Sequence, residues 1–400
     1  MKILFISDVY FPRVNGVSTS IKTFINQLQQ LGHQADLIAP DYGDGHHADA
    51  SNIKRIPARS IYFDPEDRLM KYGAALKLLP ELKKEKYDII HINTPFIAHY
   101  LGLKLAKLLS IPCVETYHTF FEDYLHHYLP WIPQSMARGV ARTISKKQCN
   151  AVNAIVVPSQ QMLDVLRNYG VNSCADVVPT GLQPNSFAES DGLAFKKKYN
   201  IENKRPMLLY VGRVAFEKNI PFLFEMTKVL AERYPNILLV VAGEGPAEKS
   251  LHELAITLKI QDNIKFIGYL DRESELNACY KSADVFVFSS KSETQGLVLL
   301  EAMAQGTPVV GIAELGTASI LHEGKGALIA TENTVEFSTK VASLIEDRTK
   351  RDLLSQQAKD YTLCVWSADV QAQKMVNLYQ KTIEQYQFQK TSLPYVTLTD

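Results

Sequence analysis

A chain of 400 residues exceeds one ordinary core and suits two domains. Its apolar share of 46% and charged share of 22% are globular values, which exclude a disordered chain. Lysine plus arginine and aspartate plus glutamate both number 43, so no bulk charge draws nucleic acid, and no nucleic-acid partner is expected.

In chain order, MKILFIS runs straight into a strand pattern, so no cleavable signal region is expected. No run reaches about 18 consecutive apolar residues, which predicts a soluble or surface-bound chain without a membrane span. Cys113, Cys149, Cys174, Cys279 and Cys364 form no CxxC pair, and a reducing cytosol is the simplest compartment. After the first strand, Asn15-Gly16 predicts a tight turn in which glycine lets a backbone N–H approach a ligand. Ser18 or Thr19 is expected to cap the helix STSIKTFINQLQQLG. An isolated Asn-Gly turn reads equally as an ordinary loop. ADLIAP is the next strand. DYGDGHHAD (Asp41–Asp49) mixes acids and histidines, but its glycines mark a surface loop without a rigid ligand framework, and no metal is expected there.

DIIHIN, PCVETYH and AIVVPS read as further strands buried on both faces, with AHYLGLKLAKLLS a helix between the first two. His118 closes PCVETYH at a strand carboxyl end, placed to bond a sugar hydroxyl or stabilise charge near an anomeric carbon. A buried, satisfied histidine is the commoner fate of such a residue. Residues Trp131–Cys149 carry Arg138, Arg142, Lys146 and Lys147 and no acid, with Trp131, Ile132, Met136, Val140 and Ile144 available to another side. That pattern suits a helix lying on an anionic interface, or an ordinary helix with a solvated basic face.

Residues Pro179–Arg205 are rich in polar and breaking types and form the linker candidate. The expected division is 1–190, 191–366, a returning C-terminal helix over 367–390, and a loose tail over 391–400. Strand patterns restart at PMLLYVGR and continue through NILLVVAGEG, IKFIGYL, ADVFVFSS, TPVVGI and GALIA. The fold class is therefore α/β, two Rossmann-like doubly wound parallel-sheet halves facing a cleft, with ligands at strand carboxyl ends.

Three of those ends in the second half carry chemistry. GRVAFEKN places Gly212, Arg213 and Lys218 after one strand; two cations beside a helix start suit a diphosphate, or are solvated loop residues. Gly243, in VVAGEGP, shapes a pocket through its backbone; EGPAEK lacks the third glycine of a dinucleotide motif, which counts against a dehydrogenase. SETQGLVLLEAMAQ predicts a helix starting near Gly296, with the first-turn amides of Gly296, Leu297 and Val298 free for an anion. Glu301, one turn on, leans back toward that end and suits a ribose diol, while Glu293 reaches a sugar hydroxyl. Each glutamate also reads as an unremarkable helix acid.

Taken together, Glu293-x7-Glu301, AMAQGTPVV, GRxxxxK and NGV resemble the family 4 glycosyltransferases of the GT-B fold, over nearly the whole chain to about Trp366. ETQGLVLLEAMA, FPRVNGVSTSI and TYHTFFEDYLHHY resemble the bacterial enzymes that glucosylate diacylglycerol. Thr294-Gln295 stands where Gly-Phe is commoner, and Asn15 where the loop often has a second glycine. The resemblance implies transfer of glucose from UDP-glucose, with retention and without a metal cofactor. Its acceptor would be a lipid hydroxyl, most directly 1,2-diacylglycerol, at the cytoplasmic face of an anionic membrane. It implies that Asn15-Gly16 approaches the donor diphosphate and that Arg213 and Lys218 neutralise it. By the same resemblance Glu293 meets the donor sugar, the backbone after Gln295 binds phosphate, Glu301 holds the ribose, and His118 touches the transferred sugar. An α-mannosyltransferase using GDP-mannose on a phosphoinositide, glycolipid or saccharide acceptor and a nucleotide-sugar-binding scaffold are the competing expectations.

Overall fold

The computed structural model describes residues 1–43, 51–61, 64–118, 134–271 and 275–392. The chain divides into two compact units: Met1–Gly181 with the segment from Ala368 onward, and Leu182–Ser367. The boundary falls before residue 190 because residues 182–190 are tied to the second unit. Leu182 N–H donates to the Trp366 carbonyl (2.7 Å), and the Gln305 amide donates to the carbonyls of Ser186 and Ala188 (2.7 and 3.1 Å). The linker candidate also contains a helix, Gly192–Lys198, whose N-cap Asp191 accepts from Leu193 and Ala194.

The first unit contains β1 (Lys2–Ile6), β2 (Gln34–Pro40), β3 (Ile53–Ile56), β4 (Ala58–Ile61), β5 (Asp64–Met70), β6 (Ile89–Ile92), β7 (Cys113–Thr116), β8 (Ala154–Val157) and β9 (Cys174–Val177). Among the described residues, seven form a parallel sheet in the order β3-β2-β1-β6-β7-β8-β9, and β4 pairs with β5 antiparallel. Apolar residues on both sides of each strand require cover on both faces. Leu4 and Ile6 join Leu101 and Leu105 of the Ile97–Leu109 helix on one face. Ile3 and Phe5 join Ile21, Phe24 and Leu28 of the Gly16–Gln30 helix on the other. The C-terminal Ala368–Ser392 helix completes that second face with Met375, Val376, Leu378 and Tyr379.

The second unit contains β10 (Met207–Val211), β11 (Leu238–Ala242), β12 (Ile264–Gly268), β13 (Val285–Phe288), β14 (Val309–Gly311) and β15 (Ala327–Ile329). Their order among the described residues is β12-β11-β10-β13-β14-β15, all parallel. Strand order reverses between β10 and β13, and between β1 and β6 in the first unit. At such a reversal the connecting helices leave to opposite faces and open a crevice at the strand carboxyl ends.

Candidate functional site

The crevice of the second unit is built from the segments following β10 and β13. After β13 the chain runs from Ser289 to Gly296 and enters the Leu297–Ala304 helix. Gly296 is the N-cap at φ +93°, ψ +57°, a left-handed conformation that costs glycine little and other residues more. Gly296 has no side chain to cap this helix, so among the described residues its first-turn amides and the positive end of its dipole are open to an anion. The preceding loop is braced from outside: Gly316 N–H donates to the Glu293 carbonyl at 2.9 Å.

Lys218 Nζ donates to Glu293 Oε1 at 2.6 Å, with both side chains about one-fifth exposed. Two residues 75 positions apart are thus joined across the strand-order reversal. Arg213, on the same loop as Lys218, is exposed, and its carbonyl accepts from the fully buried Tyr210 hydroxyl at 3.2 Å. Asn219 donates its amide to Glu332 Oε1 at 2.7 Å, and Glu332 pairs with Lys291. That pairing raises the Lys291 ammonium and lowers the Glu332 carboxyl from their ordinary values. The loops after β10 and β11 meet by backbone: a Cβ on Gly243 would lie 2.0 Å from the Gly212 carbonyl oxygen, so only glycine fits.

Glu301 is 6% exposed, and its Oε2 accepts from Tyr280 O–H at 2.8 Å. The acid inside LVLLEAMA is thus bonded to a buried hydroxyl about one turn from the helix start. Gln295 and Gly296 are buried, while Leu297 and Val298 are partly exposed. The second unit therefore brings Lys218, Glu293, Gln295–Val298 and Glu301 around one strand-order reversal, with Arg213 on its rim.

Asn15, Gly16 and His118 belong to the first unit. Asn15, rather than Ser18 or Thr19, caps the Gly16–Gln30 helix: its Oδ1 accepts from Ser18 N–H at 2.8 Å, and the Ser18 hydroxyl turns back to the Arg13 carbonyl. Gly16 is the first helical residue, with no heavy atom within 4 Å of where a Cβ would stand. His118 follows β7, and burial lowers its imidazole to about 4, so it is neutral at pH 7. His91, on β6, bridges Tyr379 Oη (2.5 Å) and Thr116 Oγ1 (2.6 Å), with burial lowering it to about 3.

Asp8, two residues past β1, escaped the sequence reading although its acid directly ends an apolar strand. Its Oδ2 accepts from Thr94 Oγ1 at 2.8 Å and from Ala98 N–H at 3.0 Å, while Oδ1 has no hydrogen-bond partner among the described residues. Burial raises it to about 6 despite those bonds. Tyr280 also escaped, since nothing in NACYKSAD distinguishes it from a core aromatic.

Of the basic segment, Gln134–Cys149 is helical. Arg138, Arg142, Lys146 and Lys147 are exposed, and so are Met136 (56%), Val140 (48%) and Ile144 (40%). The face turned inward carries Ala141, Ser145, Gln148 and Cys149. Ser145 bonds the Tyr117 hydroxyl (2.9 Å) and Gln148 donates to the Pro95 carbonyl (2.7 Å). Trp131, Ile132, residues 44–49 of the Asp41–Asp49 loop and the tail beyond Ser392 lie outside the described residues. No described helix is long and apolar enough to cross a membrane.

Two family descriptions match the chain: Glycosyl transferases group 1 over residues 193–361 and Glycosyltransferase Family 4 over 14–186. An alpha-monoglucosyldiacylglycerol synthase of Streptococcus pneumoniae is 35% identical over 317 residues, 78% of this chain and 70% of its own. The synthase of that name from Acholeplasma laidlawii is 28% identical over 96% of this chain and 98% of its own. A GDP-mannose-dependent alpha-mannosyltransferase of Corynebacterium glutamicum is 27% identical over 86% and 80%. Among solved structures, HepE of Anabaena in complex with UDP shares the fold at a TM-score of 0.75, covering 95% of this chain and 100% of that one at 18% identity.

Proposed function

The chain belongs to the family 4 glycosyltransferases of the GT-B fold, and from that premise we propose that it moves glucose from UDP-glucose, with retention, onto a lipid hydroxyl. The leading acceptor is 1,2-diacylglycerol, giving a monoglucosyl lipid. The observation that carries the reading is the Lys218–Glu293 contact at 2.6 Å, beside the uncapped helix end that also bears Glu301.

In this reading the donor diphosphate lies against the amides of Gly296, Leu297 and Val298, with Arg213 and Lys218 balancing its charge as it departs. Glu293 accepts from sugar hydroxyls while its other oxygen stays on Lys218, so the cation and the sugar grip move as one. Glu301 holds the ribose. No carboxylate of this set is assigned as a covalent nucleophile. The acceptor oxygen attacks the anomeric carbon on the face the diphosphate leaves, the carbon–phosphate-oxygen bond breaks, and the acceptor proton passes to the departing phosphate. By resemblance to the family, Asn15-Gly16 is assigned a backbone contact to the diphosphate. Neutral His118 serves as a hydrogen-bond partner of the transferred sugar and not as a cation. No metal is assigned, because the two cations and the helix end supply the charge.

The exposed cations and apolar residues of Gln134–Cys149 support docking on an anionic lipid surface, with the cytoplasmic face of the membrane as workplace. A second reading, α-mannosyl transfer from GDP-mannose, is favoured by the Corynebacterium glutamicum relative. Incubation with UDP-glucose and with GDP-mannose, over vesicles containing diacylglycerol and phosphoinositide, separates them by product mass. Monoglucosyl diacylglycerol is the expected product; mannosylated lipid alone would replace the first reading by the second.

A further inference from the structure

Glu301 sits in the apolar helix LVLLEAMA, and its carboxylate accepts from a residue that the family motif does not include. Tyr280 is fully buried in the Leu276–Ser282 helix, with its ring 5.8 Å from that of Phe286. Its carbonyl accepts from Thr307 Oγ1 at 2.6 Å, just past the end of the Leu297–Ala304 helix. Backbone and ring are therefore both fixed, and the hydroxyl cannot follow if the carboxylate swings. A phenylalanine would fill the same space, and an apolar partner for an apolar helix would need no hydroxyl. The O–H instead occupies one acceptor direction on Oε2 and so fixes one edge of the carboxylate.

We infer that Tyr280 is a positioning residue that aims the Glu301 carboxylate at the vicinal diol of the donor nucleotide's ribose. This rests on the reading of Glu301 as the ribose ligand. It makes the preference for ribo- over deoxyribonucleotides a property of the pair. A carboxylate turned out of this alignment gains less from the second hydroxyl of a diol, so loss of the tyrosine hydroxyl should erode discrimination more than it erodes folding.

Calorimetric titration with UDP and GDP, each beside its 2′-deoxy counterpart, tests this in wild type, Tyr280→Phe, Glu301→Gln and the double variant, with the tighter-binding nucleotide as reporter. Tyr280→Phe should lower the ribo-to-deoxy affinity ratio by about tenfold, the scale of one hydrogen bond to a charged group. Glu301→Gln should lower it at least as far, and the double variant no further than Glu301→Gln alone. Melting temperatures read alongside should show Tyr280→Phe folded. A ratio unchanged in Tyr280→Phe but collapsed in Glu301→Gln overturns the positioning role alone. A ratio unchanged in both overturns the ribose reading with it, and fully additive losses show the tyrosine acting elsewhere.

Discussion

Lys218 and Glu293 each satisfy the other's charge in a partly buried setting, so removing one leaves its partner misaimed as well as alone. Lys218→Ala and Glu293→Ala should each lower turnover more than tenfold with circular dichroism unchanged; near-normal initial rates in both would remove them from the site. Titration gives a second expectation. His118 and His91, lowered to about 4 and about 3, contribute stability that is complete above their solution value of 6.5 and lost as pH falls toward those values. Asp8 runs the other way: raised from 3.8 to about 6, it disfavours the folded state above pH 6, and that cost disappears as pH falls below 3.8. The gap corresponds to roughly 3 kcal/mol. Asp8→Asn should therefore melt higher than wild type at pH 8, with the difference shrinking through pH 6 and gone near pH 4. A difference independent of pH would show that the Asp8 charge is not what matters.

The Gln134–Cys149 helix turns small and polar side chains inward and its cations and larger apolar residues outward, so its outer face is unsuited to a core. Charges near an anionic bilayer each contribute on the order of 1 kcal/mol. Reversing Arg138 and Lys147 to glutamate should cut pelleting with anionic vesicles more than tenfold, with neutral vesicles as the baseline. Equal pelleting of wild type with both lipids would remove the electrostatic docking. Elements of this kind differ in how openly the sequence displays them. Strands with continuous apolar runs, such as ILFI before Ser7 and VFVF before Ser289, were readable because burial on both faces leaves no alternative. Ile53–Ile56 and Cys174–Val177, both at sheet edges, were not, because IKRI and CADV lack such a run. The Gly192–Lys198 helix hid among breaking residues, although Asp191 announces its cap.

At the scale of the molecule, the chain leaves the first unit after Gly181 and returns at Ala368 to finish its fold. Truncation after Ser367 would uncover Phe5, Ile21 and Phe24, strip Tyr379 from His91, and forfeit about 2 kcal/mol for each buried side chain lost. Such a chain should be recovered as aggregate; a soluble yield equal to that of the full chain would show that the helix is dispensable. The candidate site was legible as residue types at strand ends, because open parallel sheets take ligands at those ends. The pairs Lys218–Glu293 and Tyr280–Glu301 were not, since partners 75 and 21 positions apart meet only through sheet order and helix packing. The measurement that bears most directly on the whole account is a crystal structure of the chain grown with UDP-glucose. The diphosphate should lie on the amides of Gly296–Val298, with Arg213 and Lys218 around it and Glu301 on the ribose. Nucleotide bound away from the β10–β13 strand ends would contradict the account.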